Sequence, residues 1–504
     1  MRKFLVIFLI LSFLSPAVYS QSKSKIQLVG ADILAYDKNS GADVQKLIGN
    51  VTFSHKASIL KCDSAYLYGN SNKVKAYGNV HIIDNGNVNI YSDSLIYEGN
   101  NRLAELFNNI KFTDQTMNMT TNHLKYNLST KIGSYFDGGK IINADNDLKS
   151  VYGIFNTANN TVFFKKNVVL VNPEYTINCD TLIYNTNTEI STFLGPTTIV
   201  SKENFIYCEK GWYNSKTDKS RFGKNAYLRN DHQRIQGDSL FYNRTNNSGK
   251  AFHNVILKDT AQKLIIYCNY IDYQGDKQYS LCTDNALAII LDNEKDSIFL
   301  HADTLMLYFD SLQKAKEVYA YHKAIIYKSD LQVLCDSMIY SLKDSIIEMY
   351  KKPVLWSGKN QLSGDYIKIL TLNNKPKELH IMENSFVFSR DTLAYFNQIS
   401  GKNMIGYFAD NELNRLDVKG NAETIYFARD DKKNLIGVDI SVASDLKIFI
   451  EKKQIKNIIY FDEPTGTLFP LKDVAEKDQK LKNFENLNYA RPRGRKDIFL
   501  WKMK

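Results

Sequence analysis

The pentapeptide Asp93-Ser94-Leu95-Ile96-Tyr97 decides the fold, because it returns along almost the whole chain. Close copies are Asp32-Ile33-Leu34-Ala35-Tyr36, Asn122-His123-Leu124-Lys125-Tyr126, Asp180-Thr181-Leu182-Ile183-Tyr184, Asp238-Ser239-Leu240-Phe241-Tyr242 and Asp336-Ser337-Met338-Ile339-Tyr340. Weaker copies begin at Asp63, Val151, Glu209, Asn269, Asp303, Asp365 and Asn403. From Asp32 to Asn269 the first residues step by 31, 30, 29, 29, 29, 29, 29 and 31, and such a fixed period marks a repeat architecture. Between the copies lies a second pattern, Asn followed by alternating apolar residues, as in Gly49-Asn50-Val51, Gly78-Asn79-Val80, Asn109-Ile110, Asn167-Val168, His253-Asn254-Val255 and Gly420-Asn421-Ala422. Turn sequences such as Asp84-Asn85-Gly86 and Asn246-Asn247-Ser248-Gly249 separate the two patterns. Each unit therefore holds two strands, and the chain holds about thirteen hairpin units.

Side chains alternate along a strand, so substitution across the copies shows which face is buried. The third motif position is never charged and faces inward, whereas the fourth admits Lys125, Asp272 and Lys368. The fifth, mostly Tyr, shares the inner side with the third. The inner stripe thus runs through Leu34 and Tyr36, Leu95 and Tyr97, Leu124 and Tyr126, Leu182 and Tyr184, and Leu240 and Tyr242. It continues through Ile271 and Tyr273, Leu305, Met338 and Tyr340. One hairpin cannot bury such a stripe, so the units must stack into an elongated antiparallel sheet that folds over on itself. Composition agrees with an all-β class: 504 residues contain 32 Tyr and 27 Phe but only 8 Pro. Hydrophobic content of 44% with 23% charged residues excludes disordered and collagen-like chains.

Residues 1–20 read as a secretory signal, with Arg2 and Lys3 ahead of an apolar run from Phe4 to Leu14 and a small-residue cleavage site at Val18-Tyr19-Ser20. Residues 21–461 form the repeat domain, divisible into two consecutive modules, and 462–504 form a tail. In that tail Leu471 to Phe484 reads as a short polar helix, followed by Arg491-Pro492-Arg493-Gly494-Arg495-Lys496. This segment is either solvated or a cap over terminal edge strands. The formal charge of +10 includes Arg2 and Lys3, and the remaining excess permits contact with anionic lipid without demanding nucleic acid.

The Asp that opens each unit recurs too regularly for a catalytic pair, so Asp and Asn are assigned to side-chain-to-backbone bonds at strand entrances. Cys62, Cys179, Cys208, Cys268 and Cys335 occupy the slot before the motif residue, where other units carry Ala31, Ser92 or Gly237. They read as small buried thiols. No C-x-x-C, H-E-x-x-H, G-x-S-x-G or P-loop pattern is present. No catalytic residue, metal site or cofactor is therefore assigned.

The serial Gly-Asn-Val and Cys-Asp-Ser-Leu-x-Tyr units after a signal segment resemble the OstA-like, LptA-like periplasmic proteins of lipopolysaccharide transport over about residues 26–430. They are also similar to the periplasmic domain of the outer-membrane translocon. The resemblance implies an open β-jellyroll, or β-taco, whose groove holds the acyl chains of lipid A on the inner stripe. It further implies a periplasmic bridge of a Gram-negative bacterium that carries lipopolysaccharide toward the outer membrane. Its partners would be other jellyroll proteins of the pathway, met by edge-strand pairing, or further copies of itself head to tail. This chain has more units than the short soluble bridge and lacks the amphipathic strands of a translocon barrel. The residue pattern alone also admits a structural or adhesive β-solenoid with a dry core, and less readily a β-helix polysaccharide lyase. Far-ultraviolet circular dichroism should be dominated by β-structure, with helix confined to the C-terminal segment; a large helical signal would contradict the repeat reading.

Overall fold

Long strands are interrupted near their middle by residues of positive φ, and these breaks set the architecture. The computed structural model describes residues 24–36, 43–115, 117–142, 146–202, 204–291, 297–311, 314–372, 375–392, 394–410, 412–430, 432, 434–451 and 454–503, and the expected signal segment at residues 1–20 lies outside them. Gly49 (φ 77°) and Asn50 (φ 47°) break the strand Val44–His55, and Gly78 (74°) and Asn79 (42°) break Lys73–Asp84. Asn108 and Asn109, Lys166 and Asn167, Lys224 and Asn225, and His253 and Asn254 do the same further on. Gly and Asn lead these pairs because left-handed backbone costs them least.

Each left-handed pair opposes one motif residue on the next strand. The register of Val44–His55 against Ser58–Tyr68 passes from Ile48 with Ser64 to Val51 with Cys62, which leaves Asp63 across from Gly49-Asn50. Cys62 and Ala65 are both buried although three residues apart, so the corner resets the inward phase. Every strand thereby becomes two arms. One arm carries the residues around Asn-Val and is called the Val arm; the other carries Leu-x-Tyr and is called the Tyr arm.

The motif carboxylates line the outside of these corners. Asn50 Nδ2 donates to Asp32 at 2.9 Å, Asn79 to Asp63 at 2.9 Å, and Asn109 to Asp93 at 2.8 Å. Asn225 donates to Glu209 at 2.7 Å, Asn254 to Asp238 at 3.1 Å, and Asn384 to Asp365 at 2.8 Å. This corrects in part the expectation of side-chain-to-backbone bonds at strand entrances. These carboxylates bond side chain to side chain at mid-strand corners, because the corner brings Asp and Asn of adjacent strands together on its solvent side, whereas Asn269 and Asn403 accept from the backbone N–H of Asn254 and Glu383.

The chain divides into two units, Met1–Pro173 with Ile183–Asn187, and Glu174–Leu182 with Thr188–Lys504. In the first, antiparallel pairs run from Gln27–Gly30 and Ile33–Tyr36, both on Val44–His55, to Thr161–Val171. In the second they run from Ile190–Ser201 to Thr465–Phe469, which still pairs with Leu435–Glu451. The fold is the all-β, repeat-built antiparallel sheet that the repeat predicts, in the jellyroll class that the resemblance implies.

The tail is where the structure departs most from expectation. No α-helix occurs among the described residues; Leu471–Asp473, Glu476–Gln479 and Arg495–Phe499 are single 3₁₀ turns. The expected helix over Leu471 to Phe484 is absent because this stretch spends its apolar side chains and backbone groups on the second unit instead. Leu487, Ala490 and Ile498 pack against Phe299, Ile325, Leu334, Val354 and Trp356, all on the outer side of Val arms. Gln361 Nε2 donates to the Glu485 carbonyl (2.8 Å), and its Oε1 accepts from the Leu487 N–H (2.9 Å). Gln398 pairs in the same manner with the Gln479 carbonyl and the Leu481 N–H, both at 2.9 Å. Arg491 reaches Gln332 Oε1 (2.7 Å) and the Gly358 carbonyl (2.9 Å). The tail is a strap over one sheet face rather than a solvated end.

The corner geometry makes a paired prediction. A Cβ on Gly78 would lie 2.4 Å from Asp63 Oδ2 at φ +74°, whereas one on Gly86, at φ +75°, would meet nothing within 4 Å. Gly86→Ala should cost about 1 kcal/mol of backbone strain and Gly78→Ala about 2–3 kcal/mol in urea unfolding. Equal costs would show that the carboxylate does not constrain the corner.

Candidate functional site: a groove between the arms

The inner faces of the two arms meet, and the side chains on each decide whether space remains between them. In the first unit the Val-arm row is Phe53, Leu60, Ile82, Ile90, Phe112 and Met119, each directly across from the next. All six are buried. The facing Tyr-arm row is Tyr97, Ala104, Tyr126, Gly133 and Phe155. Phe112 crosses the gap to stand 4.8 Å from Phe155 and 5.5 Å from Tyr126, ring to ring. Gly133 is required here, because a Cβ would lie 2.1 Å from the Phe155 ring. The Tyr135 ring covers Gly139 and Gly153 in the same way, and its hydroxyl lies 2.7 Å from Ser150 Oγ. Aromatic rings fill the interior here, while a small apolar cavity remains nearer the first strands, lined by Phe53, Leu60, Ile82, Tyr97, Ile26 and Leu128.

An ionic cluster also joins the arm tips of the first unit. Asp84, fully buried at a Val-arm tip, takes a hydrogen bond from Ser58 (2.7 Å) and pairs with Lys131 and Arg102 from Tyr-arm tips. His55 Nδ1 lies 2.7 Å from the Tyr97 hydroxyl. Partnered buried charge of this kind is costly to expose singly.

The start of the second unit uses the same rows differently, whereas beyond Leu257 the row is buried again at Ile266, Ala288, Leu300 and Ile326. Its Val-arm row is Ile199, Ile206, Leu228, Ile235 and Leu257, again in direct register. These five residues are only half-buried. The facing row alternates Ser191, Tyr213, Ser220, Tyr242, Gly249, Tyr273 and Ser280. Serine stands where the first unit has Ala104 or Val162. The Tyr213 hydroxyl donates to Asp218 (2.8 Å) and that of Tyr242 to Asn247 (3.1 Å), both in tip turns. Burial and the adjacent Asp218 carboxylate push the Tyr213 phenol well above its ordinary range. Nearer the corners Phe193, Cys208, Phe222, Leu240, Ala251 and Val255 close a dry floor. This stretch is a groove with an apolar wall, an opposite wall of phenols and hydroxyls, and a partly exposed mouth.

The expected inner stripe distributes over both environments. Leu95, Tyr97, Leu124 and Tyr126 are buried in the filled interior, and Leu182, Leu240, Ile271, Leu305 and Met338 are buried as expected of inward positions. Tyr184, Tyr273 and Tyr340 are half-buried. Two expectations need correction. Leu34 and Tyr36, 46% and 67% exposed, pair with Leu47 and Gln45 on the edge strand Ile33–Tyr36, and no described strand covers their other side. Tyr242 keeps its place in the inner row but, 38% exposed, stands at the groove mouth because its neighbours Ser220 and Gly249 are too small to enclose it. The apolar Val-arm row went unnamed in the sequence reading, although its alternation was legible in Thr197 to Ile199 and Ala226 to Leu228.

The filled interior should reveal itself in alkali. Burial pushes the Tyr126 and Tyr135 phenols up to about 12, from 10.0. A raised folded pKa means that the stability they contribute is complete below about pH 10 and is lost as pH rises through 12. Urea midpoints should therefore fall between pH 10 and 12, and Tyr135→Phe should flatten that fall while lowering stability near neutrality through loss of the Ser150 contact. An unchanged pH profile in the variant would contradict this.

The sequence profile of the OstA-like protein family matches residues 23–180 and 177–238. No curated protein matches the chain. A matching solved structure is that of LptH from Pseudomonas aeruginosa, described as the LptA-homologous periplasmic component of a lipopolysaccharide transport device. It is 13% identical, with 23% of this chain and 81% of that chain covered and a TM-score of 0.21. No helix among the described residues is long and apolar enough to cross a membrane. The OstA-like match thus spans residues 23–238, a stretch that includes the interior of the first unit and the start of the groove in the second.

Proposed function

We propose that this protein is a non-enzymatic carrier of lipopolysaccharide in the periplasm of a Gram-negative bacterium. It holds acyl chains in the groove of the second unit and passes the glycolipid toward the outer membrane. The observation that carries this reading is the half-buried row Ile199, Ile206, Leu228, Ile235 and Leu257 facing Tyr213, Tyr242 and Tyr273. An acyl chain laid on that row leaves water at about 0.8 kcal/mol per methylene. The phenols and serines opposite suit the polar part of the same molecule, which has to remain near the mouth. The OstA-like match over residues 23–238 supports the same class of ligand.

The first unit favours the second reading, a dry structural core, because Phe112, Tyr126, Tyr135 and Phe155 occupy its interior. We assign it a scaffold role with an edge strand for partners. Ile33 and Tyr36 are exposed on Ile33–Tyr36, which offers unpaired backbone groups to another jellyroll protein of the pathway or to a second copy of this chain.

A photoreactive amino acid at Tyr242 should crosslink lipopolysaccharide in cells, and one at Tyr126 should not. Leu228→Asp should reduce the Tyr242 crosslink at least tenfold by placing an unpaired carboxylate in the chain path, while Tyr227→Asp, on the outer face, leaves it within twofold. No crosslink at Tyr242 in the unmutated protein, or an equal one at Tyr126, would overturn the assignment.

A further inference from the structure

The basic run Arg491-Pro492-Arg493-Gly494-Arg495-Lys496 closes the strap and takes no part in the groove, yet it is held in a defined shape. The Arg493 N–H donates to Asp497 Oδ2 (2.8 Å) and Arg493 Nη2 to the Asn488 carbonyl (3.1 Å), while the Leu500 N–H donates to the Asp497 carbonyl (3.0 Å). These bonds tie Tyr489, next to Asn488, and Phe499-Leu500, next to Ile498, into one knot. On its inner side Leu487, Ala490 and Ile498 are buried against Phe299 and Trp356. On its outer side Tyr489, Phe499 and Leu500 stand 60%, 44% and 56% exposed. Arg495 lies over the Phe299 ring, 4.8 Å from its centroid, and the Phe499 ring lies 4.7 Å from His301, so both side chains are fixed without being covered. Arg493, Arg495, Lys496 and Lys502 are exposed on the same knot. Among the described residues no side chain of these four pairs with a carboxylate. Asp497 is the single acid between Leu487 and Met503, and its carboxylate is occupied by the Arg493 N–H.

We propose that the outer side of this knot docks on the surface of an anionic phospholipid bilayer. Exposed rings and an exposed Leu among unpaired cations are poorly served by water, whereas a membrane interface takes both kinds of group. The apolar side chains enter the headgroup layer, and Arg and Lys lay their stems along the apolar surface with their charges at the phosphates. Charge selects a bilayer of this kind over an apolar partner: four unpaired cations face a surface of fixed negative charge, where each is worth about fivefold in partition. Three partly inserted side chains bind weakly by themselves, so the cations decide whether the contact holds and make it sensitive to salt. Because Ile498 and the Arg493 bonds already order the knot, docking has little further chain to immobilise. This inference is independent of the ligand proposed for the groove.

The test mixes the full chain with vesicles of phosphatidylcholine, alone or in equal mixture with phosphatidylglycerol, and measures the bound fraction after flotation. Binding should be at least about tenfold tighter to the mixed vesicles. It should be lost as salt rises from about 0.1 M to about 1 M, where the Debye length falls from about 10 Å to about 3 Å. Lys496→Gln with Lys502→Gln should weaken it about twentyfold, and Leu500→Ser at least about threefold. Lys61→Gln with Lys111→Gln, exposed cations of the first unit, should leave it within about twofold. Equal binding to the two kinds of vesicle, binding to neither, or an equal loss from the Lys61 and Lys111 pair would overturn the proposal.

Discussion

A two-residue left-handed step opposite one carboxylate is the constraint from which the rest of the structure follows. It bends each strand into two arms, resets the inward alternation, and places Asp or Glu beside Asn at corner after corner. Left-handed backbone at a residue such as Asn79 costs on the order of 1 kcal/mol. The Asn-to-Asp bond and the burial of both arms offset that cost. Because the step recurs with the sequence period, neighbouring corners align within each unit, and each hairpin adds one layer to that unit's pair of facing walls.

The walls of the two units are furnished differently. Where the rows carry Phe112, Tyr126 and Phe155 over Gly133, rings interlock across the gap and close it there. Where they carry Ile and Leu on one side and Tyr alternating with Ser or Gly on the other, the rings hydrogen-bond to their own tip turns and the gap stays open. Glycine illustrates how context decides a role: Gly133 admits the ring of its cross-strand neighbour Phe155, while Gly249 leaves Tyr242 standing at the groove mouth.

The strap adds long-range stability that no repeat could supply. Gln361 contacts Leu487 across 126 positions of sequence, and Gln398 contacts Leu481 across 83. Each glutamine presents a donor and an acceptor to an extended backbone, as a neighbouring strand would, so an otherwise uncovered sheet face is sealed without lengthening the sheet. The outer Val-arm positions reflect this. They are polar at Lys61, His81 and Lys111, and become apolar at Phe299, Leu334 and Trp356, where the tail lies.

Local sequence was sufficient for the elements whose determinants are local. Period, hairpin turns, the uncharged inward third position and the small slot before each motif residue were all legible, because alternation and turn chemistry act within a few residues. The location of the Asp and Asn bonds was not, since it depends on which residues the corner makes neighbours on adjacent strands. Nor was the tail: Leu471 to Phe484 reads as a helix in isolation, but Gln398 and the apolar face under Leu471, Val474 and Leu481 hold it as short 3₁₀ turns joined by extended chain. Which unit has a filled interior and which a half-exposed one was decided by tertiary structure alone. An inward residue is buried or exposed according to what stands on the opposite arm, and that arm's contribution comes from positions the repeat leaves free to vary.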